Sequence, residues 1–251
     1  MRCAPGPGYA DDSAPQRVDV VSAELVDLDE QPLAFEFVQV CGTDICIQGQ
    51  ATESGGVVVG PKQNMTKPAF KFGEGKVTPR FARLLPNQPS VDFGVVHSVR
   101  LPELMTGVAL VAGSEASSGG LTLFPERNSQ IIIDKLTFGE TDEQWLRAIK
   151  VPIERAADLI DAEQSIELLY AATPTSTQFC PPVRLQVDNS EGWAPGSEVE
   201  VLLHGVEIEE EWAPYGGWAK VSDARVSDDG AHIETTEPGL PLLGVLGFRR
   251  K

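Results

Sequence analysis

Long apolar runs are missing from this 251-residue chain. No stretch approaches the roughly 20 residues that a membrane-spanning helix needs. Basic charge is also short, with 20 Lys and Arg against 37 Asp and Glu, a formal charge of −17. Nucleic-acid backbones and anionic lipid carry the same sign, so both are disfavoured as partners. Histidine is scarce: His97, His204 and His232 lie far apart in the chain. None falls in a His-Glu-x-x-His pattern, and neither Gly-x-x-x-x-Gly-Lys-Ser nor Gly-x-Gly-x-x-Gly occurs, so zinc, phosphate and dinucleotide readings have no support. A Gly-x-Ser-x-Gly nucleophile elbow is also missing. The expectation is a chain with no catalytic residues, no metal and no cofactor, which is not an enzyme; each histidine is read as structural or solvent-exposed.

What is present is a hydrophobic fraction of 41%, enough for a core, broken up by 24 Gly and 19 Pro. Apolar residues alternate with polar ones over short segments. Val18 to Leu25 and Leu33 to Val40 bracket a polar turn closed by Pro32, and Ile45 and Ile47 precede Val57 to Val59. Phe70 and Phe72, Phe81 to Leu85, and Val91 to Val96 follow. The pattern resumes at Val108 to Val111, Leu121 to Phe124, Ile131 to Ile133, Ile166 to Tyr170, Val183 to Val187 and Val199 to Leu203. Period two at intervals of about 8–12 residues predicts an antiparallel sandwich or barrel. Arg225 to Ile233 is the clearest hairpin, with Asp229-Gly230 expected in a primed turn. Leu240 to Phe248 predicts one central strand interrupted by glycine, and Cys180-Pro181-Pro182 a strand boundary. Helix is expected only at Ile153 to Ala162, after Pro152, while Gln144 to Val151 reads better as strand. Leu101-Pro102 and Gly113 to Gly120 both read as interruptions of structure and place a boundary near residues 100–118.

The fold class expected is all-β: two antiparallel β-sandwich domains, Ig-like or transthyretin-like, with at most one or two short helices. The divisions are a flexible leader over 1–16, a first sandwich over 17–105 and a second over 106–251. The leader, rich in Pro and Gly, holds no apolar run and predicts no signal peptide. Cys41 and Cys46 flank a four-residue segment, so a turn at Gly42 would let them form a local disulfide. Reduced buried thiols are the alternative, and a metal would need a second pair or nearby histidines. Cys180 could pair with Cys3 or stay unpaired; spacing does not decide.

Acidic residues gather at Asp27, Asp29 and Glu30, at Glu207 and 209–211, and at Asp223, Asp228 and Asp229. They are read as solvated carboxylates, because the ligand spacing of a calcium loop is missing; the 207–211 group is expected on one strand. Trp193, Trp212, Tyr215 and Trp218 gather beside Pro and Gly. On exposed loops they would offer faces to sugar rings or a partner; the alternative is that they plug the ends of a sandwich.

The N-terminal half, through Cys41-Gly-Thr-Asp-Ile-Cys46, Gln50-Ala-Thr-Glu-Ser-Gly-Gly-Val57, Pro68-Ala-Phe-Lys-Phe72 and Val91-Asp-Phe-Gly-Val95, resembles the carboxypeptidase regulatory-like (transthyretin-like) β-sandwich module. Trp193-Ala-Pro-Gly196, Ala213-Pro-Tyr-Gly-Gly-Trp218 and Gly239-Leu-Pro-Leu-Leu243 look like uncharacterised bacterial cell-surface proteins. These resemblances imply a non-enzymatic module of an exported envelope protein, structural or adhesive, meeting an unknown protein or glycan at the cell surface. The alternatives are a carbohydrate-binding module using the 193–218 aromatics, and an accessory domain of a secreted hydrolase.

Overall fold

The computed structural model describes residues 6–9, 13–156, 160, 164–208, 212–237 and 239–251. The protein is all-β. The first strands are β1 (Gln16–Val18), β2 (Val20–Val26), β3 (Phe37–Cys41), β4 (Cys46–Gln50), β5 (Gly56–Val59), β6 (Gln63–Met65), β7 (Ala69–Phe72), β8 (Phe81–Leu84) and β9 (Ser90–His97). Then come β10 (Val108–Ala109), β11 (Ala116–Ser118), β12 (Leu121–Phe124), β13 (Gln130–Ile132), β14 (Trp145–Lys150) and β15 (Leu168–Thr173). The last are β16 (Gln178–Asp188), β17 (Glu198–His204), β18 (Trp218–Val226), β19 (His232–Thr235), β20 (Leu240–Leu242) and β21 (Val245–Arg250). Helix among the described residues is limited to 3-10 turns, at Leu104–Thr106, Asp142–Gln144 and Ile153–Arg155 and at Gln164. The turn at Ile153–Arg155 begins where a helix was expected, after Pro152; 157–159 and 161–162 of that expectation lie outside the described residues.

Two small sheets, β5-β2-β9 and β4-β3-β7-β8, face each other, with a β1-β6 ribbon beside them. The pairing of β2 with β9 is parallel, a departure from the antiparallel expectation; the other named pairs of these sheets are antiparallel. The later strands form one sheet in the order β10-β14-β15-β21-β17-β18-β19-β16-β12-β11, with β13 and β20 also on β16. This sheet rolls up. Its ends, β10 and β11, lie beside each other, and the Ala148 N–H on β14 donates to Ser118 Oγ on β11 at 3.1 Å.

Period two explains how the parts fit together. On β15, Leu168, Tyr170 and Ala172 point into the core enclosed by the rolled sheet, where Val199, Val201, Leu203, Leu246 and Phe248 join them. Leu169 and Ala171 point the other way, into a core shared with Val21, Leu25, Val38, Val40, Phe70 and Phe72 of the first two sheets. Leu202, Trp218 and Val245 do the same. The middle strands of the rolled sheet are therefore buried on both faces, and one continuous apolar core joins residues before 100 to residues after 150.

Several expectations need correction. Cys180-Pro181-Pro182 does not end a strand; β16 runs through it. Its register against β20 shifts between Gln178 and Val183, so the two prolines sit where the ladder asks for no N–H. Leu240 to Phe248 is two strands, β20 and β21, with different neighbours; β21 is central, as expected. The Gly113–Gly120 segment does not simply interrupt structure, because β11 lies inside it. The hairpin at Arg225–Ile233 forms, but without a two-residue primed turn. Ser227 pairs with His232, the turn is closed by Gly230 N–H to Ser227 O at 2.9 Å, and Gly230 alone of the Asp-Gly pair has positive φ. Asp229 instead accepts from Ser227 Oγ and from the Ala231 N–H, which favours the longer loop. Within Gln144–Val151, read as strand, β14 forms over Trp145–Lys150, while Gln144 ends a 3-10 turn.

Candidate functional site

The richest group of polar side chains lies on the seam between the first sandwich and the rolled sheet. β7 and β8 supply Lys71 and the residues around Ala82, β17 supplies His204, and the loop after it supplies Glu207 and Tyr215. His204 is buried because the odd residues of β17 face the enclosed core, which turns its own even position onto the seam. Its Nε2 accepts the Ala82 N–H at 3.2 Å and its Nδ1 lies 3.0 Å from the Gly217 carbonyl. With one nitrogen accepting and the other donating, the ring is held as one neutral tautomer. Phe81 and Trp218 flank it, with ring centroids at 5.9 and 4.8 Å. Burial pushes its pKa down to about 4, against the contrary pull of the hydrogen bond to the Gly217 carbonyl.

Glu207 binds two cations at once: Lys71 Nζ at 3.1 Å and the Arg80 guanidinium. It does not lie on a strand, as expected, but in the loop past β17; 209–211 lie outside the described residues. Lys71, itself buried, lies 5.8 Å from the Tyr215 ring centroid. Tyr215 donates its hydroxyl to the Cys41 carbonyl at 3.0 Å, and burial raises its pKa. Proton-transfer chemistry wants a group whose partners change during a reaction. Here the histidine, the carboxylate and the phenol are each committed to protein partners, which suits fastening two parts together.

The sequence-predicted residues fall as follows. Cys41 and Cys46 form a disulfide across the β3–β4 hairpin, with alpha carbons 4.0 Å apart. Cys180 is also disulfide-bonded; Cys3 lies outside the described residues. Trp193 is in the enclosed core, Trp218 in the shared core and Tyr215 in a small cluster with Cys41, Ala69, Ala82 and Val206, all buried. Their faces are taken up by protein, so they form no open platform for a sugar; Trp212 is half-buried against the enclosed core. His97 meets Glu30 at 3.0 Å, where Arg155 also binds. His232 stands 3.7 Å from Asp188, opposite it in the β16–β19 ladder.

The acidic turn at Asp27 departs from the solvated reading. Asp27 is buried and accepts from the N–H groups of Asp29 and Gln31 and from Arg100 Nε at 2.7 Å. Burial would raise its pKa, but the Arg100 guanidinium and the two backbone donors outweigh it and hold the carboxyl below its usual range. Asp223 lies between Lys220 at 2.8 Å and Lys251 at 2.7 Å. Among the described residues no group of three His, Cys, Asp or Glu side chains converges as metal ligands would.

Sequence reasoning passed over Arg147. It is fully buried on β14 and donates through Nη1 to the carbonyls of Lys76 and Pro102, at 2.6 and 2.9 Å. Nothing in the local pattern marks it, because its partners come from some 45 to 71 residues away. No family model, no curated protein and no solved structure matches this chain.

Proposed function

We propose that this chain is a non-enzymatic β-sandwich module of an exported bacterial cell-envelope protein, with a structural or adhesive role. The observation that supports it most is the state of the cysteines: Cys41 and Cys46 are bonded to each other and Cys180 is bonded too. Disulfides form and persist outside the reducing cytosol. The bacterial, cell-surface part of the reading rests on the sequence resemblances. The fastening chemistry of the seam agrees with a part that holds its shape rather than one that turns over substrate. Counting thiols under denaturing, non-reducing conditions, on protein taken from its native compartment, tests the export reading. None should react; four reactive thiols would overturn it. A blank across model esters and glycosides is expected of a non-enzymatic module, and turnover of any one of them would refute that part.

A further inference from the structure

Every sheet has edges, and a protein that stays monomeric guards them with charge, proline, bulges or cover. Most edges here are guarded. The Ala82 N–H on β8 is taken by His204. β9 carries Asp92, whose carboxylate takes the Gly94 N–H, and its register against β2 shifts between Ser22 and Glu24. On β5 the outward N–H and C=O of Gly56 are both bound by Thr52. β10 and β11 abut each other.

β5 leaves Val58 open, with no backbone partner on its outward side among the described residues, but β4 is the longer opening. Its neighbour β3 uses alternate residues of it: Gly42 donates to the Ile45 carbonyl at 2.8 Å and Ala51 donates to the Glu36 carbonyl at 2.9 Å. Since hydrogen-bonded and non-hydrogen-bonded pairs alternate along an antiparallel ladder, Ile47 and Gly49 also bond to β3, while Cys46, Gln48 and Gln50 turn their N–H and C=O outward. The short Cys41–Cys46 separation of 4.0 Å fits a non-hydrogen-bonded pair. All three outward-turned residues are exposed, and none has a backbone partner on that side among the described residues. The strand holds no charge and no proline; from Ile45 to Gly60 the one charged residue is Glu53, in a chain of formal charge −17.

We propose that β4 is a self-association seam, pairing antiparallel with β4 of a second copy about a twofold axis at Gln48. The three outward residues are symmetric about Gln48, so Cys46 would meet Gln50, Gln48 would meet Gln48, and each pair exchanges two hydrogen bonds. The two four-stranded sheets then become one sheet of eight. On the inner face Ile47, only partly buried in the shared core, gains cover from the second copy's strand, whose Gly49 is backed by its own Val59. The occupant is a second copy because the edge is self-complementary in register and because this stretch brings almost no like charge together, whereas the chain as a whole repels itself.

The test is light scattering coupled to gel filtration on the full chain between about 1 and about 200 µM. The wild type should shift from monomer towards dimer. Gln48→Lys and Gln48→Glu each put like charges against each other at the axis and should weaken dimerisation at least about tenfold. Both change an exposed side chain and no backbone group, and circular dichroism confirms that they fold. Mixed one to one, the two variants should associate again. A monomeric wild type throughout, variants that dimerise like the wild type, or a mixture that fails to associate would each overturn the proposal.

Discussion

At the scale of single residues, the seam depends on side chains whose protonation is fixed by burial. His204 is the clearest case. Above its ordinary pKa of 6.5 the imidazole is neutral in the folded and the unfolded chain alike. As pH falls from 6.5 towards about 4, the unfolded chain takes up a proton that the folded one refuses. Stability should fall through that window by on the order of 3 kcal/mol. Urea unfolding at half-unit pH steps would show it, and His204→Gln should flatten the curve there. Asp27 acts lower down: its depressed pKa gives stability above the usual aspartate range that disappears as the carboxyl protonates. Asp27→Ala at neutral pH removes an acceptor from two backbone N–H groups and Arg100, and should cost roughly 2–3 kcal/mol in the same assay. Neither residue's role was legible in the sequence. A lone histidine before a glycine, and an aspartate in an acidic turn, look alike whether buried or solvated; what decides is a partner such as Ala82 or Arg100, distant in the chain.

At the scale of elements, much of the fold was legible, because a strand with one buried face writes a period of two. The segments around Val38, Val91 and Leu123 are strands for that reason. β6 and β11 escaped notice because Gln-Asn-Met and Ala-Ser-Ser show no apolar alternation; pairing with β1 and β12 makes them strands. The turn between β11 and β12 brings the rolled sheet's end against β14. Gly119 has φ +55°, and a Cβ there would run into the Ala148 carbonyl. Gly119→Ala should therefore lower stability by roughly 2 kcal/mol or more, read as a drop in the thermal midpoint. The Cys41–Cys46 bond closes a very short loop, so its entropic effect is modest. Replacing both cysteines with serine should cost about 2 kcal/mol, with the β3–β4 ladder retained.

At the scale of the whole molecule, the core shared by the two parts predicts cooperation. Leu169 and Ala171 on β15 pack against Val21 and Val38 of the first sandwich, and Trp218 sits in that same core. Calorimetry should give one transition rather than two, with tryptophan fluorescence and far-UV circular dichroism changing together. Leu169→Ala should destabilise by roughly 2–5 kcal/mol and shift both probes equally. Separate transitions would mean that the two parts melt independently. The sequence did not reveal this joining, because β15 reads as a strand with one apolar face whereas both of its faces are covered.

The position of β21 matters for how the chain can be made. Residues 245–250 lie between β15 and β17, so those two strands are bridged on that side only once this segment is in place. Until that segment docks, the facing flanks of β15 and β17 stand open, and anything that shields them in the interval would raise the yield of folded protein.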